Sequence, residues 1–94
     1  MKTNDILLAY HFGGGMYYFM QVVRTTAKSV TVRQIRSNRK AGTPCPNEFA
    51  DDEELTRRIR PDGTIRLNEY AEAELWDGHP LCIMGFFGMN QNLY

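Results

Sequence analysis

His11 and His79 are the side chains of this sequence that could exchange a proton near neutral pH. Nucleophilic catalysis needs a hydroxyl or thiol held beside such a base. His11 falls in a strand-like run and His79 precedes Pro80 in a turn-like one, so neither spacing assembles that pair. Two carboxylates can divide acid and base roles when burial drives their pKa values apart. The acids from Asp51 to Glu54 are consecutive in a polar stretch and read as a solvated run. A metal site needs about four ligands at close spacing, and His11, Cys45, His79 and Cys82 are scattered. Gly13-Gly14-Gly15 lacks the G-x-G-x-x-G and G-x-x-x-x-G-K spacings that cradle phosphates. The expectation is a protein that is not an enzyme, with no catalytic residue, cofactor or metal.

The remaining chemistry is charge. Residues 1–47 carry seven basic side chains against one acid, whereas residues 48–94 carry four arginines against ten acids. Such asymmetry points to a charged partner, or to halves that neutralise each other on folding. The basic set is Arg24, Lys28, Arg33, Arg36, Arg39 and Lys40. Beside an exposed Tyr17 or Tyr18 it could follow a nucleic-acid strand, although a pI near 6.7 is low for such modules. The acidic set is Glu48, Asp51, Asp52, Glu53 and Glu54. It could enter an arginine-lined channel in place of phosphates. Trp76 adds a residue type enriched at interface hot spots.

Strands must position these groups. Residues 5–12 and the aromatic, β-branched run 16–25 read as the first two strands, separated by the three glycines. Residues 29–36 read as a third, paired with the second, which would gather Arg24, Lys28, Arg33 and Arg36 near one end of the sheet. Val30 and Val32 share a face and Ile35 has the opposite parity, so a bulge near Arg33 or Gln34 is expected to return it to the core. Residues 37–50, with Pro44 and Pro46, read as loop, anchored by Phe49. Pro61-Asp62-Gly63 predicts a hairpin joining 56–60 to 64–68, with Ile59, Ile65 and Leu67 inward and Arg58, Arg60 and Arg66 outward; a short helix over 52–58 is the competing reading. Residues 69–76 fit two helical turns or the approach to a hairpin at Asp77-Gly78. Residues 81–87 read as the last strand and 88–94 as a loosely held tail.

With 94 residues, 43% of them apolar, the chain fits one small domain, residues 1–94. The expected fold is mainly β, a small SH3-like or related β-barrel of five or six strands with room for one short helix. Neither a secretory signal nor a membrane-length apolar run is visible. Cys45 and Cys82 read as free thiols. These features predict a cytoplasmic protein without a membrane partner.

The sequence resembles a family of short proteins carried by phages and plasmids of bacteria, whose pattern runs G-D-I-F, then F-Y-Q-V, then W-D-G-x-P. Asp5-Ile6-Leu7 matches the first motif, Phe19-Met20-Gln21-Val22-Val23 the second and Trp76-Asp77-Gly78-His79-Pro80 the last. Tyr10 to Met16 replaces the polar segment found between the first two motifs in that family. The resemblance implies a mobile-element protein acting in a bacterial host. The function expected from it is anti-CRISPR-like: binding and inhibiting a host protein, such as a CRISPR effector or other defence nuclease. The alternative is a nucleic-acid-binding accessory module. The oligomeric state is left open.

Overall fold

A computed structural model describes residues 1–12, 15–38 and 41–78. Seven strands run through them: β1 (Ile6–His11), β2 (Met16–Thr25), β3 (Ser29–Asn38), β4 (Thr43–Phe49), β5 (Leu55–Arg58), β6 (Ile65–Asn68) and β7 (Ala71–Leu75). They form one antiparallel sheet ordered β4-β3-β2-β1-β7-β6, and β5 joins by pairing with β3. The mainly β reading holds. No helix occurs among the described residues, so neither 52–58 nor 69–76 is helical. In β7, Ala71 and Ala73 are buried while Glu74 is exposed, an alternation of period two that suits a strand.

The sheet is not closed into a barrel, and among the described residues it has seven strands rather than five or six. The Pro61–Gly63 turn forms, with Gly63 at φ 86 donating to Arg60 O. Its two arms then part: β5 pairs with β3, and β6 pairs with β7. One backbone bond, Arg60 N to Thr64 O at 2.8 Å, joins them near the turn. Further along, Arg57 reaches across the gap and donates from Nε to Leu67 O at 2.9 Å. A side chain thus bridges the seam where a closed barrel would have a ladder.

β4 occupies a stretch expected to be loop. Its prolines are tolerated because β4 is an edge strand with one side free of the ladder. Its pairing with β3 is broken, from Phe49 opposite Ile35 to Pro44 opposite Ser37. Asn47 sits inside that break at φ 66, a left-handed conformation that asparagine adopts more readily than most residues.

One face holds the core: Leu7, Ala9, Met20, Val22, Val30, Val32, Ile65, Leu67, Ala71 and Ala73. Burying each of the larger side chains contributes about 1.5–3 kcal/mol. Leu55 and Ile59 pack against this set. Ile65 and Leu67 are inward, and Arg58 and Arg66 outward, as the hairpin pattern predicts. Ile35 does not return to this core. The β2–β3 ladder runs without a shift from Phe19 opposite Ile35 to Val22 opposite Val32, and its bulge comes later, at Val22/Arg24. Ile35 therefore stays on the reverse face beside Phe19, and both are buried there. Trp76 meets Phe19 edge-on with ring centroids 5.6 Å apart.

Candidate functional site

The two charged sets expected to serve different partners lie against each other. β5 pairs with the first half of β3, and this register draws the 50–54 loop across Arg33 and Arg24. Arg24 forms an ion pair with Glu54. That hydrogen-bonded contact holds the Glu54 carboxyl below the usual range and raises Arg24. Arg33 pairs with Asp52 at 3.3 Å, donates to Asp51 O and places its guanidinium 4.1 Å from the centre of the Phe49 ring. Phe49, the last residue of β4, stacks on Arg33 at the start of this loop, and the two halves neutralise part of each other's charge.

The rest of each set is dispersed. Lys28 lies in the β2–β3 turn, whereas Arg36 is exposed toward the far end of β3, so the basic residues do not gather at one end. Glu48, Asp51 and Glu53 are exposed, and the Asp52 side chain is fully so despite its contact with Arg33. Arg39 and Lys40 lie outside the described residues, as do Gly13, Gly14, His79, Cys82, the 81–87 strand and the tail. Trp76 is half-buried. Tyr18 packs against the core, and burial pushes its hydroxyl pKa up. His11 sits 6.1 Å from the Tyr70 ring. Burial raises the pKa of the Cys45 thiol, which is free, and Glu48 adds to that rise. Among the described residues no three His, Cys, Asp or Glu side chains converge as metal ligands. Nor is any helix there long and apolar enough to cross a membrane.

A different site stands out on the reverse face. Because Leu7 and Ala9 point to the core, β1 turns Leu8 and Tyr10 outward, with Phe12 just beyond its end. The register sets Tyr17 of β2 opposite Tyr10. It sets Glu72 and Glu74 of β7 opposite Tyr10 and Leu8. The Tyr10 ring lies 4.8 Å from Tyr17 and 5.6 Å from Phe12. With Thr64 and Ala73 these residues line an open cleft of about 170 Å³. Phe12 is 47% exposed. Glu72 accepts from Arg60 Nη1 at 2.8 Å. Glu74 is exposed and has no ion pair among the described residues.

Aromatic faces are electron-rich, and two carboxylates beside them make the cleft attractive to an ammonium or guanidinium group. Sequence reasoning missed this site. Its signal was the run Leu8, Tyr10, Phe12, apolar at every second position although Leu7 and Ala9 already supply a core face. A strand apolar on both faces is covered on both, or offers one to a partner. Comparison with known protein families, curated proteins and solved structures yields no match.

Proposed function

We propose that this chain is a non-enzymatic binding protein that docks on a basic protein surface through the Tyr10–Phe12–Tyr17 cleft. The observation that carries this reading is the cleft itself: three aromatic rings beside Glu72 and Glu74, the latter without an ion pair among the described residues. Aromatic residues in a cleft supply the large, rigid contact area typical of hot spots. A basic side chain from the partner would gain both ring contact and a carboxylate. The exposed acids Glu48, Asp51, Asp52 and Glu53 extend the same preference over a wider surface. The resemblance to mobile-element proteins suggests which basic surface is met: the nucleic-acid channel of a host defence nuclease, a CRISPR effector being one example.

A short arginine–glycine peptide, titrated into the protein and followed by NMR, tests the docking chemistry. Shifts should centre on Tyr10, Phe12 and Tyr17. Tyr10→Ala should weaken binding by roughly tenfold or more, as hot-spot truncations do. Glu74→Lys should have a similar effect while leaving the fold intact, because Glu74 is exposed. Equal binding by wild type and both variants, or equal affinity for an acidic peptide, would sink the reading. With a purified defence nuclease, cleavage should be suppressed by the wild-type chain and restored by Glu74→Lys.

A further inference from the structure

At the end of the sheet where β2 turns into β3, Ala27 and Lys28 face the segment Arg58–Pro61 across an open cleft of about 520 Å³. The register explains the juxtaposition. Ser29 is paired with Arg58, and the ladder continues one step as Ile59 N donates to Lys28 O at 2.9 Å. Three cationic side chains, those of Lys28, Arg58 and Arg60, therefore line one opening, and Ala27, Ile59 and Pro61 supply its apolar walls.

The charges here are not cancelled as they are on Arg24 and Arg33. Lys28 and Arg58 are exposed, and neither forms an ion pair among the described residues. Arg60 is paired with Glu72, so the uncancelled charges of the cleft are those of Lys28 and Arg58. The nearest acid in sequence, Asp62, is turned to its own loop: its Oδ1 accepts from Thr64 N at 3.0 Å and from Thr64 Oγ1 at 2.7 Å. Those bonds hold its carboxyl below the usual range and Arg60 adds to that effect, so the charge of Asp62 is set against Arg60. The cleft is thus a concave, net-positive opening with apolar sides.

We propose that this cleft binds a phosphate ester. Lys28 and Arg58 hold the phosphate oxygens, and Ile59 and Pro61 pack against the sugar or base attached to it. Arginine suits the fork of two phosphate oxygens and lysine supplies a compact point charge. The site uses none of the aromatic cleft's rings and only one of the six residues in the basic set read from sequence, Lys28. It goes beyond the docking function and stands or falls separately.

The phosphate can come from a free nucleotide or from a nucleic-acid strand, and two arms separate these sources. Adenosine monophosphate and a short oligothymidine are titrated into the wild-type chain, and into a double variant, Lys28→Glu with Arg58→Glu. Both substitutions are at exposed positions, and circular dichroism checks that the variant folds. The wild type should bind at least one ligand, with amide shifts at residues 27–29 and 58–61, and the variant should bind it at least tenfold more weakly. If the source is a strand, the slope of log affinity against log salt should fall by about 1.4 in magnitude, two contacts at about 0.7 each. Binding of the mononucleotide as tightly as the strand assigns the site to nucleotides. No binding of either ligand, or equal binding by wild type and a folded variant, overturns the proposal.

Discussion

Gln21 is buried on the reverse face of β2, 2% exposed, yet its amide is well supplied with partners. It donates to Asn47 Oδ1 at 2.9 Å and to Asn4 Oδ1 at 3.2 Å, and its own oxygen accepts from Asn47 N at 2.8 Å. Asn4 and Asn47 are also the two non-glycine residues with positive φ among the described residues. One buried amide therefore ties together two left-handed turns, the first of which is also held by Asn4 N to Val22 O at 2.8 Å and Asp5 N to Lys2 O at 3.0 Å. Gln21→Ala leaves the Asn47 N–H without its acceptor, a loss of about 1–3 kcal/mol. Urea denaturation should show a lower midpoint of that size, whereas a fall of a few tenths would mean that water replaces the amide. Nothing local announced this role. Gln21 lies among Met20 and Val22 in a strand-like run, and its partners are 17 and 26 positions away. Hydrophobic patterning places such a residue on a face but says nothing of what it bonds.

At the scale of elements, β3 organises the sheet: β2 lies along it, while β4 and β5 share its length on the remaining edge. The first three strands were legible because each follows a β-rich run ended by glycine or by the Ala27-Lys28 turn. β4 was not, since prolines at 44 and 46 argue against a central strand and a sequence does not say which strand is an edge. The Pro61-Asp62-Gly63 turn was legible, but its ladder was not, because β3 and β7 compete successfully for the two arms. Arg57 is what remains of the missing ladder. Arg57→Ala removes the Nε bond to Leu67 O and should cost about 1–2 kcal/mol. Amide exchange in β5 and β6 should quicken more than in β1 and β2. Uniform acceleration across the sheet would show that the seam is not an independent weak point.

For the molecule as a whole, zero net charge conceals an arrangement in which an acidic loop lies on basic strands. The charge asymmetry between halves was legible, whereas its cancellation was not, because pairing of β5 with β3 decides it. Exposed ion pairs add little to stability, so Asp52→Asn with Glu54→Gln should leave the thermal midpoint nearly unchanged. Arg24 and Arg33 would then lose their carboxylate partners, and salt-sensitive affinity for single-stranded DNA should rise by fluorescence anisotropy. No rise would mean that the acids do not mask a phosphate-binding surface.

Arg60 occupies a special place between the two openings, lining the one beside Lys28 while its guanidinium bonds Glu72 in the other. An anion bound in the proposed phosphate cleft that drew Arg60 toward itself would leave Glu72 without its counter-charge, and the uncovered carboxylate would then attract a cation in the aromatic cleft more strongly. Such heterotropic linkage is reciprocal by thermodynamic necessity, and coupling of this kind is typically about 1–3 kcal/mol. A single shared guanidinium would thereby couple two neighbouring openings of a very small sheet.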